Sequence, residues 1–395
     1  MTRFFTRERF STPQFIAAFL LLAFLAQCGW FIAHVPLTHV ESNYIVGGME
    51  MWRSGADAGD QLRSPLVALM AGTPAYLITS LRAEHSATTF YDPDFQIVLD
   101  SHRWLIRAPF VLMGLLLGAS VWYVARRLYG NSGGYIALGL YVFSPAMVAH
   151  SSLAQPEIAA AWGVFGAIFT AIAVAHTLYA PREVVLWNWR RITLMGVAIA
   201  LAVGSQFSCA LLLLLALGYM WWAVPHRRAA ALVILLSACG VALLLLWGTY
   251  LFNPVAMVHG FARGQWVRFS PAIVASEVMY RMIASFYLRD AAATTLMFLV
   301  SLVTYFIWRR TRFFGNTSPL LTVAFLLVLA IAMPQAAGFT FVFLALPFVM
   351  VFASGVFADL LESRIRGVAL GAAVGVVGMQ ALLSLSALLQ LGRLR

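Results

Sequence analysis

Lysine is absent from this 395-residue chain, and charged residues of every kind make up only 10% of it. A soluble domain carries about 25% charged residues, so the shortage excludes a water-solvated surface over most of the molecule. The missing lysine reads as compositional bias, without chemical meaning. Cysteine is scarce too. Cys28, Cys209 and Cys239 all fall inside apolar runs, which indicates neither a disulfide framework nor a cysteine metal site. Long polar stretches are also lacking, and with them any sign of separate soluble domains.

What is present is apolar: 62% of the residues are hydrophobic and the mean hydropathy is +0.85. Each crossing of a bilayer needs roughly 20 apolar residues. Such runs recur near 15–34, 106–125, 134–150, 158–180, 192–204, 207–224, 229–251, 291–308, 318–334, 338–358 and 367–391. The expected fold is therefore an all-α integral membrane protein of about eleven transmembrane helices, one polytopic domain over 1–395. The first run follows Arg3, Arg7 and Arg9, as a signal peptide would, but it is long and has no small-x-small cleavage site. Gln27 also occupies the place where a lipoprotein box needs a small residue. A retained first helix is expected.

The formal charge of +11 is carried wholly by arginine in short clusters between the apolar runs. That pattern sets topology and does not build a nucleic-acid-binding face. With the N-terminus in the cytoplasm, Arg126/Arg127, Arg182/Arg190/Arg191, Arg227/Arg228, Arg309/Arg310/Arg312 and Arg364/Arg366 all lie inside. An odd number of spans then puts the C-terminus outside. Most of the acids gather on the outer side, which also holds the two long connections, 35–105 and 252–290. Elaborated chemistry is expected there. In the first connection, Ser64 to Leu81 is apolar but broken by Pro65, Gly72 and Pro74, which suits a helix lying in the interface. The second mixes Trp266, Tyr280, Phe286 and Tyr287 with Arg263, Arg268, Arg281 and Arg289, the composition of a segment at headgroup level.

Two acids draw attention. Glu41 lies just after the first span and next to a helix start. A partly desolvated carboxylate there is a candidate general base; an N-capping or surface acid would read the same. Glu157 follows Pro156 at the head of the fourth span, where it complements the helix dipole. An ionisable residue at a membrane boundary is also a functional candidate. The histidines His34, His39, His85, His102, His150 and His259 and the acids Asp92, Asp94 and Asp100 fall on or near the outer side. Asp92-Pro93-Asp94 is too brief for a calcium loop and no His-x-x-x-His pair occurs, so no metal is assigned.

From His39 to about Thr170 the order and spacing of these pieces resemble the polytopic, GT-C-type glycosyltransferases that take sugar from a polyprenyl phosphate, such as the protein O-mannosyltransferases and the lipid A aminoarabinose transferases. The matching residues are Glu41 after the first helix, Ser64-Pro65-Leu66 with Pro74, Arg107 leading the second helix, the exit Ala125 to Gly130, Ser144-Pro145, and Glu157. The resemblance implies a sugar transferase of the outer face of a bacterial inner membrane, with no cofactor. Its partners would be a polyprenyl-phosphate-linked sugar, a glycan, lipid or protein acceptor, and membrane lipid. Glu41 would be the base and Glu157 its assistant. Arg63, Arg107, Arg263, Arg268, Arg281 and Arg289 would be the candidates for the donor phosphate, since arginine offers it a rigid, permanently charged fork. A transporter or lipid flippase, which would show inverted repeats and intramembrane charges, and a non-catalytic membrane scaffold are the competing readings.

Overall fold

The computed structural model describes residues 12–54, 64–81, 93–178, 189–223, 225–263, 277–307, 313–333 and 335–393, and among them there is no β-strand. The chain runs α1 (Thr12–His34), α2 (His39–Ser54), α3 (Pro65–Leu81), α4 (Pro93–Ser101), α5 (Arg103–Val142), α6 (Pro145–Ser151), α7 (Pro156–Leu178) and α8 (Trp189–Ser205). After a 3-10 turn (Phe207–Leu211) it continues as α9 (Leu212–Ala223), α10 (Arg228–Thr249), α11 (Pro254–Arg263), α12 (Glu277–Ser285), α13 (Ala292–Ile307), α14 (Ser318–Ala332), α15 (Gln335–Leu361) and α16 (Arg366–Arg393). The all-α membrane architecture expected from the apolar runs is what the chain adopts.

Seven of the described helices are long and apolar enough to cross a membrane, or eight if a sharply bent pair is one span. Most of the eleven expected runs fall on a helix, but 134–150 is broken at Phe143–Ser144 and 207–224 begins with a 3-10 turn, so the expected count of eleven is not reached by length alone among the described residues. The break expected at Gly204-Ser205-Gln206 is present: α8 stops at Ser205, and Gln206 is extended, with φ −155° and ψ 115°.

The 40-residue α5 is two helices, not one. Gly130 has φ 80° and ψ −171°, a region that side-chain-bearing residues avoid. The Tyr141 hydroxyl donates to the Gly114 carbonyl at 2.6 Å, 27 residues away in sequence. A straight helix would separate those residues by about 40 Å. The chain therefore folds back at Gly130 into two antiparallel arms; the first covers the run expected at 106–125, and the second ends at Val142, short of the expected 134–150. The turn is tied down where the Tyr129 hydroxyl donates to the Gly315 carbonyl.

α15 forms the centre of the bundle: its apolar stretch is wholly enclosed, with Phe341, Phe343, Phe348 and Phe352 inaccessible. It packs against α5, α7, α13 and α14. The outward faces of α1, α10, α13 and α16 carry exposed Leu, Val and Phe, as lipid-facing surfaces do. Arg126 lies over Trp122, Arg190 over Trp189 and Arg228 over Trp221, at 5.1–5.6 Å from the ring centroids. All three pairs belong to clusters assigned to the cytoplasmic side, and the pairing suits cations at a membrane interface.

Both long connections contain helices. α2 and α3 pack tightly because Gly48 and Gly72 meet backbone to backbone; a Cβ on Gly48 would overlap the Ala68 carbonyl. In the second connection α11 and α12 are present, and the segment Glu277–Asp290 meets α13 at a bend of 100°.

Candidate functional site

Thr38, His39, Val40 and Glu41 make a capping box at the start of α2. The Glu41 N–H donates to Thr38 Oγ1 at 3.3 Å, and Glu41 Oε2 accepts from the Thr38 N–H at 2.8 Å and from its hydroxyl at 3.0 Å. The carboxylate goes further than capping. Arg107 donates from Nε to Oε1 at 2.8 Å and from an Nη to Oε2 at 2.7 Å, and the Ala154 N–H donates to Oε1 at 2.8 Å. Arg107 also donates to the Val35 and Pro36 carbonyls. Both side chains of the ion pair are 0% exposed. Burial opposes the Glu41 charge, but the Arg107 guanidinium and the backbone N–H groups outweigh it and hold the carboxyl below its ordinary range.

This pair binds four segments into one unit: the α1–α2 link, α2, the first arm of α5 and the turn between α6 and α7. A second tie lies beside it, where Asp100 accepts from the Leu37 N–H at 3.0 Å and pairs with Arg103 at 3.2 Å. Glu41 and Arg107 thus meet, although they are 66 residues apart in sequence. Glu41 accepts five hydrogen bonds and is buried. Arg107 has no exposed donor for a phosphate.

The turn that Glu41 anchors carries a different pair. His150 ends α6, whose N-cap Ser144 accepts from the Met147 N–H, and Glu157 opens α7. His150 Nδ1 and Glu157 Oε2 are 4.0 Å apart, and both atoms are enclosed without a hydrogen-bond partner. Orphaned buried polar atoms are uncommon and call for an explanation. The Phe343 ring lies 4.4 Å from the His150 ring, centroid to centroid, with Phe339 beyond it. His150 lines a cavity of about 390 Å³, together with Phe286, Asp290, Phe339, Ser384 and Gln390. That is within the range of ligand sites. The cavity sits at the end of the bundle that the arginine distribution assigns to the outside. At its α16 wall the Ser384 hydroxyl donates to Gln27 Oε1, and Gln27 donates to the Val142 carbonyl.

Of the other arginine candidates, Arg281 is paired with Glu277 at 2.6 Å on an exposed surface, and Arg289 is exposed next to Asp290. Arg63 and Arg268 lie outside the described residues, as does the Arg263 side chain. His85 and Asp92 lie outside them too. No group of three His, Cys, Asp or Glu side chains among the described residues is disposed to hold a metal ion. Sequence reasoning weighed His150 only as a metal ligand and passed over Asp290, Ser384 and Gln390, which share its cavity. Their positions along the chain carry no common signal, because α6, the bend before α13 and the end of α16 meet only in the folded bundle.

Residues 95–252 match the family model described as dolichyl-phosphate-mannose-protein mannosyltransferase. That match spans less than half of the chain. Among solved structures it is similar to ArnT from Cupriavidus metallidurans, in the apo state (TM-score 0.55) and bound to undecaprenyl phosphate (TM-score 0.57), at 15% identity in each case. The alignments cover 91% of this chain but only 62% and 63% of ArnT, so the chain spans a little under two thirds of that protein's length. A search of curated proteins finds no match.

Proposed function

We propose that this protein is a membrane glycosyltransferase that moves a sugar from a polyprenyl-phosphate donor to an acceptor hydroxyl at the outer face of the membrane. One observation carries the reading. In a fold shared with a protein solved with undecaprenyl phosphate, an unpartnered carboxylate oxygen and an unpartnered imidazole nitrogen stand together beside a cavity at one end of the bundle. His150 reaches the wall of that cavity, where a ligand would meet its ring.

The roles of the two acids differ in this reading. Glu41 and Arg107 form the fixed anchor that sets the α6–α7 turn, and Glu157 belongs to the reacting end. Positioning of this kind keeps a site within the small tolerance that group transfer requires. Arg289, exposed at the bend beside Asp290 on the cavity wall, is the described cation best placed to meet the donor phosphate, with Arg63, Arg263, Arg268 and Arg281 as the remaining candidates. A bacterial inner-membrane location, with the N-terminus inside and the C-terminus outside, completes the proposal.

The direct test is binding. Undecaprenyl phosphate added to the purified protein in lipid nanodiscs should raise its unfolding temperature, since a ligand at 100 times its Kd stabilises the folded state by about 2.7 kcal/mol. Replacing Arg289 with Gln should weaken that shift. No shift with undecaprenyl phosphate, under conditions where the protein is folded and monodisperse, would count against the donor class.

A further inference from the structure

We propose that the groove between the second arm of α5 and the first half of α16 binds one anionic phospholipid, with an acyl chain along the helices and the phosphate on Arg364 and Arg366. The inference rests on the fold and is independent of the glycosyltransferase reading.

α16 is a peripheral helix, with only 22% of its most apolar stretch buried inside the bundle. It meets the second arm of α5 where Val377 packs on Gly139; a Cβ on that glycine would stand 3.0 Å from the valine side chain. Beside this contact lies a cavity of about 530 Å³, which runs from Ser132 to Phe143 on α5 and from Leu370 to Ala381 on α16, with Leu361 at the end of α15 also on its wall. Gly378 helps to keep it open. Nothing stands within 4 Å of the place a Cβ would take there.

Apart from the hydroxyls of Ser132 and Tyr135, the lining side chains are hydrocarbon, so water would find few partners and the groove suits an apolar chain. From Leu370 to Ala381 is about 16 Å of helix, which matches one leaflet of a hydrocarbon core about 30 Å thick. The groove is one acyl chain deep.

Charge lies at one end of it, the end that the arginine distribution assigns to the cytoplasm. Arg366 opens α16 one turn before Leu370, on the same side of the helix, and Arg364 lies in the turn that follows Leu361. Both are exposed, and among the described residues neither has an ion-pair partner. Of the acids nearby, Asp359 is buried and accepts from Asn316 Nδ2 at 3.4 Å, and Glu362 is exposed. Ser132 and Tyr135 follow the fold-back at Gly130 and so lie at this end too, where their hydroxyls can meet the ester oxygens of a lipid. Arginine forks grip phosphate, and basic pockets between transmembrane helices on the cytoplasmic side hold anionic headgroups.

Two other occupants fit less well. A polyprenyl tail is hydrocarbon, but its phosphate belongs at the cavity beside His150, and the tail would bring no charge to Arg364 and Arg366. A second copy of this chain, itself at +11, would bring more arginine to them.

The test takes the full chain in dodecyl maltoside, titrates it with palmitoyl-oleoyl phosphatidylglycerol or with the phosphatidylcholine of the same chains, and counts bound lipid by native mass spectrometry. One phosphatidylglycerol should bind in clear preference. Arg364→Gln/Arg366→Gln should weaken that binding by about fivefold for each arginine removed. Arg190→Gln/Arg191→Gln, which takes the same charge from another cytoplasmic cluster, should leave it unchanged. Gly378→Leu fills the groove from an open position and should abolish the preferred binding while the protein stays monodisperse; the arginine variants, on the surface, carry the test should it fail to fold. Equal binding of the two lipids by the unmodified protein, equal losses in the two arginine variants, or full phosphatidylglycerol binding by folded Gly378→Leu overturns the proposal. So does displacement of phosphatidylglycerol by an equal concentration of undecaprenyl phosphate, or a dimer that Gly378→Leu takes apart. None of these outcomes bears on sugar transfer, which is measured separately.

Discussion

Replacing Glu41 with Gln, nominally the mildest change available, should cost stability out of proportion to its size. Both carboxylate oxygens face only donors: Oε1 meets Arg107 Nε and the Ala154 N–H, and Oε2 meets an Arg107 Nη, the Thr38 N–H and the Thr38 hydroxyl. A glutamine must turn its NH2 toward one set or the other, so two or three accepted hydrogen bonds become donor against donor. The Arg107 charge, 0% exposed, is left without its counter-ion. Breaking a buried ion pair by removing one partner costs about 3–5 kcal/mol, a large share of a typical stability. The assay is the fraction of monodisperse protein surviving a heating series in detergent, compared at one heating rate because such unfolding is often irreversible. Glu41→Gln should unfold at clearly lower temperature. The double variant Glu41→Gln/Arg107→Gln should be less unstable than the two single effects added together, as expected for residues in contact. There is a pH corollary. Since the folded-state carboxyl lies below its ordinary value of 4.5, its stabilisation is present above about pH 4.5 and is lost as pH falls through the folded value. The unmodified protein should therefore lose stability on acidification in that window more steeply than Glu41→Gln does. Glu41→Gln protein with unchanged heat resistance would refute the anchor role.

Gly48→Ala should destabilise by on the order of 1–3 kcal/mol, read in the same heating series, because its Cβ meets the Ala68 backbone, which cannot rotate away. Gly130→Ala should also cost about 1–3 kcal/mol, but for a different reason: nothing stands within 4 Å of its Cβ position, and only the backbone conformation is at fault. Gly218→Ala, with equally open surroundings in a helix and no positive φ, serves as the neutral control. A reporter fused after Arg395 should be active only on the outer side, and cytoplasmic activity would overturn the odd number of crossings.

The membrane architecture was legible because span length and hydropathy are set by the bilayer, whatever the packing. The hairpin at Gly130 was legible as two apolar runs either side of Arg126 and Arg127. The capping box at Thr38 and Glu41 was also readable from its spacing, and it would have tempered the view of Glu41 as a free base. What the sequence did not reveal was the partner of each charge. The contact of Arg107 with Glu41, 66 positions earlier, leaves no mark in the local sequence, where an arginine looks the same whatever it meets. Reading His150 required the rotation of a seven-residue helix, the position of α15 and the path of α16, all of which are fixed by long-range packing.

The most direct test of the central claim is sugar transfer by the purified protein in liposomes, followed with undecaprenyl-phosphate-linked donors labelled in the sugar. A membrane glycosyltransferase should place label on the peptide or lipid A acceptor and release one undecaprenyl phosphate for each sugar transferred, and Glu157→Gln should slow both together. Label that crosses the bilayer still attached to its lipid, or that stays on the donor while the protein remains folded, would contradict the account in favour of a flippase or a scaffold.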